Sequence, residues 1–254
     1  MSSALHVLAF DSSTEWLSVA LQLGDGAVLA STEPGGARAS QRLLPLVQEL
    51  LAEAGIRLCD IGLIGFGAGP GAFTGLRAAC AAAQGLAFGL DIPVVPVHTL
   101  LAVAASAEGS AAQAPTLLVA NDARMGELYW ALAQQGADGG LRLPAPAQVA
   151  SPQAAALAWV QALGEVPPAG LQLLGHAWAE HGAALAAALP AAWQKQLGAA
   201  QTVAPTAAAV ARLARAAHVR GESVAAAQAL PIYVRNKVAL TTEERERARR
   251  VEAA

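Results

Sequence analysis

Two stretches of this chain follow one pattern. "LAFDSSTEWLSVAL" (8–21) and "VANDARMGELYWAL" (119–132) each run an apolar strand into an aspartate, cross a polar turn and close a second strand on Ala-Leu. Asp11 precedes Ala20 by the same interval as Asp122 precedes Ala131, so both pairs are related by an offset of 111 residues in a chain of 254. Repetition on that scale predicts two lobes grown from one duplicated unit. A chain of this length can give each lobe its own core.

The elements around the repeat indicate an α/β chain. "LHVLAF" (5–10) and "WLSVALQL" (16–23) read as strands, and "GDG" (24–26) as a tight hairpin signal. "SQRLLPLVQELLAEAG" (40–55) carries an apolar helical stripe closed by Gly55, with Pro45 predicting a later start or a bend. "IGLIGFGAG" (61–69) is a buried strand running into the glycine turn "GPGAFTGLR" (69–77). Thr74–Gly89 is then a helix with one smooth side: Gly75, Ala78, Ala82, Gly85 and Gly89. Strands alternating with helices imply at least partly parallel pairing. The polar stretch 106–115 marks a boundary, giving a first lobe over 1–105, a second over 106–235 and a charged tail over 236–254. In the second lobe Ser151, Pro152 and Gly164 bracket one helix, and 205–221 is bounded similarly.

Composition removes several functions. The net charge of −3, with two lysines against fourteen arginines, argues against a protein that grips nucleic acid by itself. The tail holds the local candidate for RNA contact, Arg245, Arg247, Arg249 and Arg250, interleaved with glutamates and opened by a capping box of Thr241 and Glu244. Cys59 and Cys80 suggest neither a disulfide framework nor zinc spacing. No signal peptide or membrane-length apolar run is present, so a soluble, cytoplasmic chain is expected.

Catalytic signatures are missing. The glycine turn fits neither Gly-x-Gly-x-x-Gly nor a P-loop, and no Gly-x-Ser-x-Gly elbow occurs. His176 and His181, the nearest histidine pair, are five residues apart, a poor spacing for one helix face. Two lobes opening on aspartate-ended hairpins match the plan of actin-like and sugar-kinase-like ATPases. Asp11, Ser12, Ser13 and Thr14 could form a phosphate hairpin there, Asp11 holding a magnesium-bound water; ordinary turn chemistry explains them equally well. "DARMGE" in the second hairpin lacks the small hydroxyl residues and glycines that approach phosphate, so the nucleotide site reads as degenerate. The first-lobe helices are the other unusual feature. Leu43, Leu44, Val47, Leu50 and Leu51 form a stripe wider than one sheet requires, and the small residues of the second helix allow close approach. A helical oligomer interface is the expectation.

"LAFDSSTEWLSVAL", "SQRLLPLVQELL", "GPGAFTGLRAACAAAQGLA", "NDARMGELYWAL" and "PIYVRNKVA" resemble, in order and spacing, the bacterial TsaB (YeaZ) family. The resemblance implies an actin-like (ASKHA) two-lobed fold with duplicated mixed sheets, the second lobe degenerate. It implies a non-catalytic scaffold or activator in forming threonylcarbamoyladenosine at position 37 of tRNAs that read codons beginning with A. The implied partners are a TsaD-type catalytic subunit and a TsaE-type ATPase, with tRNA met only through the complex and a homodimer formed when the chain is alone. ATP and metal would sit on the partners, with no cofactor here. TsaD binds metal through His-x-x-x-His, which this chain lacks, and Ala39 stands where many family members carry histidine. By this resemblance the partner surface comprises Leu43, Leu44, Val47, Leu50, Leu51, Gly71, Gly75, Ala78, Ala82 and Gly85, the glycines letting chains pack. The alternative is a stand-alone ATPase or small-molecule kinase of the same fold, working through Asp11 and Asp122.

Overall fold

A computed structural model describes residues 5–107, 116–136 and 139–235. The tail over 236–254, with its capping box and arginines, lies outside the described residues.

The first sheet starts as a meander of β1 (His6–Asp11), β2 (Trp16–Gln22) and β3 (Val28–Pro34). Then α1 (Ala39–Ala54) leads to β4 (Ile61–Gly69), and α2 (Phe73–Leu90) to β5 (Val94–His98). The order is β3-β2-β1-β4-β5, antiparallel through the meander and parallel from β1 to β5. The edge strand β3 alternates exposed and half-buried residues, as a strand with one wet face does.

After α3 (Thr99–Ser106) the plan repeats with β6 (Thr116–Arg124), β7 (Glu127–Gln135), β8 (Leu141–Arg142) and β9 (Gln148–Ala150). Next come α4 (Pro152–Leu163), β10 (Gln172–Leu174), α5 (Ala177–Ala188), α6 (Gln194–Gly198) and α7 (Ala207–Val219). The second sheet runs β10-β6-β7-β8, with β9 also on β7 and β10 parallel to β6. Thus β6, β7, β8 and β10 repeat β1, β2, β3 and β4, while β5 has no counterpart among the described residues. This is the actin-like two-lobed α/β fold, its second lobe reduced.

Each sheet is covered on both faces. Leu8, Phe10, Leu17 and Val19 pack under α1 and α2, and Leu118, Trp130, Trp159 and Trp178 form the core under α4 and α5. On the inner faces the helices cross over. α7 follows the second lobe yet packs on the first sheet, with Val210 and Ala214 against Val7 and Ala9. α3 follows the first lobe yet sets Leu100 and Val103 against Leu117 and Val119 of the second sheet. Beyond α7 the chain stays with the first lobe, where Val224 bridges Val94. The expected boundaries need correcting accordingly: 106–235 is not one lobe, because α7 and the segment after it complete the first.

Local signals explain the helix limits. Gly55, at φ +67°, closes α1 by donating to the Leu51 and Ala52 carbonyls. α1 neither starts at Ser40 nor waits for Pro45; it begins at Ala39 and runs through Pro45. Ser151 caps α4 by accepting from the Ala154 N–H, and Thr206 caps α7 by accepting from Ala209. His98, half-buried at the end of β5, caps α3 by accepting the Leu100 N–H on Nδ1. Burial pulls its pKa down to about 4, so the imidazole is neutral and serves as an acceptor.

Candidate functional site

The β1–β2 turn is docked onto the N-terminus of α2. Ser13 accepts the Ala72 N–H on its carbonyl at 2.7 Å, and Ser12 Oγ donates to the Gly75 carbonyl at 2.9 Å. A Cβ on Gly75 would overlap the Ser12 carbonyl oxygen, and one on Gly71 the Ser13 carbonyl. The glycines of "GPGAFTGLR" therefore admit another stretch of the same chain; the expectation that Gly71 and Gly75 serve packing between chains is corrected.

The same turn commits its two serine hydroxyls. Ser13 donates both its N–H (2.9 Å) and its hydroxyl (2.7 Å) to Asp11 Oδ1, and Thr14 Oγ1 accepts the Trp16 N–H. Asp11 is 1% exposed, and its Oδ2 has no hydrogen-bond partner. Desolvation pushes its pKa up to about 6, against the lowering effect of the two Ser13 donors. Such a carboxyl is a buried turn organiser, and the hydroxyls of Ser12 and Ser13 are engaged with the Gly75 carbonyl and Asp11 rather than free for phosphate.

Side-chain facing identifies the counterpart of Asp11 in the second lobe. Leu8 and Phe10 point into the core under α1 and α2; Leu118 and Ala120 point into the core under α4 and α5. The next residue along is Asp11 in one strand and Asn121 in the other. Both lie against a glycine of the neighbouring parallel strand: a Cβ on Gly67 would overlap Asp11, and one on Gly175 would stand 2.6 Å from Asn121 Oδ1. In the partner strands Leu17, Val19 and Leu21 answer to Leu128, Trp130 and Leu132, so there the offset of 111 holds. The second turn is one residue longer, and matching Asp11 with Asp122 slips β6 by one position onto the opposite face.

Asp122 instead enters a histidine cluster. Its N–H donates to His176 Nε2 at 3.2 Å, and its Oδ1 lies 3.0 Å from His181 Nε2. Burial lowers the pKa of His176, in keeping with an unprotonated Nε2 that accepts. The two histidines do converge, contrary to their spacing, because His176 precedes α5 and helical periodicity does not apply to it. Among the described residues no group of three or more His, Cys, Asp or Glu could hold a metal ion.

Between the turns lies a cavity of about 460 Å³. Ser13–Glu15 and Pro70–Phe73 line it from the first lobe, Asn121–Met125, Tyr129 and His176 from the second, and Ile232–Arg235 from the returning chain. Asp11 is not in the lining. Arg124 and Met125 reach the cavity from left-handed backbone (φ +62° and +59°), which nothing in their residue types announces. No periodicity marks the contribution of 232–235, although the stretch falls within "PIYVRNKVA".

Outside the cleft, α1 and α2 lie side by side. Leu43, Val47, Leu50 and Leu51 are buried in the chain's own core, so these four of the expected surface residues are not surface residues. Leu44 (47% exposed) and Gly85 remain on the outer side, with Ala78 and Ala82 half-buried. Phe88, 81% exposed and one turn beyond Gly85, belongs to this face and escaped sequence reasoning.

Comparison with known proteins places this architecture. A family model described as "TsaD: tRNA N6-adenosine threonylcarbamoyltransferase" matches residues 34–242. The tRNA threonylcarbamoyladenosine biosynthesis protein TsaB of Haemophilus influenzae is 33% identical over 241 residues, 92% of this chain and 95% of that protein. TsaB of Escherichia coli is 44% identical over 135 residues, 53% of this chain and 58% of its own length. YeaZ from Pseudomonas aeruginosa superposes with a TM-score of 0.75 at 38% identity, covering 90% of this chain and 99% of that one. A crystal structure from the same organism, described as similar to peptidase YeaZ, gives 0.77 at 38%, covering 91% and 100%. The chain belongs to the TsaB family.

Proposed function

We propose that this member of the TsaB family works in tRNA threonylcarbamoyladenosine biosynthesis as a non-catalytic subunit that binds the TsaD-type transferase through the outer face of α1 and α2. The names of its full-length relative in H. influenzae and of the matching family model support the pathway. One observation supports the non-catalytic role: the turn that would clasp phosphate is packed shut by its own hydrogen bonds, with Asp11 buried behind it. The ATPase or kinase reading needs Asp11 and Asp122 facing each other across the cleft; Asp122 lines the cavity, but Asp11 is buried outside its lining. In this reading a TsaE-type ATPase joins the pair, ATP and metal sit on the partner subunits, tRNA is met through the complex in the cytoplasm, and two copies pair through the same face when the transferase is absent.

Leu44 and Phe88 give the face exposed apolar area amid small residues, the composition of a helix-on-helix contact. Gly85 supplies the test, because a Cβ there meets nothing within 4 Å in the free chain. Gly85→Arg should leave the monomer folded, yet put a charge without a partner into the interface. Equilibrium binding to the TsaD-type subunit should weaken at least about a hundredfold, the scale of an uncompensated buried charge, and modification by the reconstituted complex should fall with it. Unchanged binding by Gly85→Arg would move the surface off these helices. No binding by the wild type would end the scaffold reading.

A further inference from the structure

We propose that Pro231–Arg235 is a clasp that holds the two lobes at one opening, fastened on the second lobe by Arg235. After α7 the chain returns along the first lobe, where the Ala229 carbonyl accepts from Gln84 Nε2 and Cys80 Sγ. The Ile232 N–H donates to the Ala68 carbonyl at 2.7 Å, which places the segment at the end of β4. Tyr233 then packs on Phe73 with ring centroids 5.8 Å apart, and its hydroxyl accepts from Arg77 Nε at 3.2 Å. All these fastenings are on the first lobe.

Two residues later the chain reaches across. Arg235 donates to Glu127 Oε2 in a short charge-assisted bond and to the Arg124 carbonyl at 3.4 Å, with its guanidinium 5.9 Å from the Tyr129 ring centre. Glu127 and Arg124 form the tip of the β6–β7 hairpin, which belongs wholly to the second lobe. The Arg235 side chain is 15% exposed and that of Glu127 38%, so the pair is partly shielded from solvent.

Among the described residues the lobes are also joined where α3 and α7 pack together. There Ser106 Oγ is 3.0 Å from Thr206 Oγ1 and accepts the Thr206 N–H, tying the two crossing points of the chain to each other. That seam is the hinge, and the Arg235–Glu127 pair is the latch at the cleft, where Ile232–Arg235 also wall the 460 Å³ cavity. The two states are defined: latched, with the cavity walled, and unlatched, with the lobes free to turn about the seam.

Spin labels on the exposed native Cys59 of the first lobe and on Leu157→Cys on α4, in a Cys80→Ser background that keeps a donor for the Ala229 carbonyl, read the opening directly. The wild type should give one narrow distance. Glu127→Gln, which keeps side-chain volume at a half-exposed tip, and Arg235→Ala should both broaden or shift it, and exchange of the Ile232 amide should quicken about tenfold, the scale of a lost charged hydrogen bond. The exchanged pair Glu127→Arg/Arg235→Glu should restore the narrow distance. A distribution unchanged from wild type in both folded single variants overturns the clasp, whatever the amide exchange rate.

Discussion

Replacing Asp11 by asparagine should make the protein's stability respond differently to pH, by an amount that follows from its burial. The carboxyl has a folded pKa of about 6 against 3.8 for the free side chain, because desolvation outweighs the two Ser13 donors and Oδ2 is left without a partner. The folded state therefore holds this proton more tightly than the unfolded state. Its contribution to stability is complete below about pH 3.8 and is lost as pH rises through about 6. At roughly 1.4 kcal/mol per pH unit, that loss is about 3 kcal/mol. Asparagine keeps the Oδ1 acceptor and never ionises, and the second lobe already carries it as Asn121 against Gly175. Below pH 4 an unpartnered amide replaces an unpartnered acid, so Asp11→Asn should be nearly neutral. By pH 8 it should be the more stable protein by about 3 kcal/mol relative to that baseline. The wild-type profile alone conceals this. His98, held neutral with a folded pKa of about 4, contributes stability above pH 6.5 that is lost as pH falls, opposing Asp11 over almost the same window. Urea unfolding of both proteins from pH 4 to 8 isolates the term as a difference. Parallel curves would refute the raised pKa and the buried, unpartnered carboxyl behind it.

His98→Asn retains a capping acceptor for the Leu100 N–H while removing the imidazole, so its stability advantage over wild type should grow as pH falls from 6.5 to 4 in the same titration. Gly75→Ala sets a Cβ against the Ser12 carbonyl and forces the docked turn away from α2; chemical denaturation should report a loss of about 1–3 kcal/mol, whereas Gly85→Ala on the same helix should be neutral or stabilising.

The sequence makes the architecture legible because patterns of period 2 and 3.6 report which residues are covered, and because Gly55, Ser151, Thr206 and Gly164 mark helix ends by local chemistry. Pairing is harder to read. The repeat is real as a sheet plan, but its aspartates do not correspond, because one added turn residue reverses which side of β6 each side chain faces. An identity match at constant offset is blind to that reversal; the core residues that precede it in β6, Leu118 and Ala120, are what reveal it. The wide leucine stripe misleads in a related way. A helix that meets both a sheet and a neighbouring helix buries more than one face's worth of leucines, so Leu43, Val47, Leu50 and Leu51 go to the chain's own core and leave Leu44 and Phe88 outside. Nothing local could reveal the returning segment, whose partners at Ala68, Phe73 and Glu127 are more than a hundred residues away in sequence.

The reduction of the second lobe bears on what the cleft can do. In a two-lobed clasp both turns must offer donors to one ligand, and each turn here has found another occupation. The first donates inward to Asp11 and to Gly75; the second places its aspartate on two histidines and its arginine and methionine in left-handed backbone at the rim. A polar group already satisfied within the chain gains little from a ligand, since binding must first break the internal bond. Exposed apolar side chains carry no such commitment, and Leu44 and Phe88 on the outer helices are two of them. Recognition is therefore expected there, at a surface whose reward for association is burial.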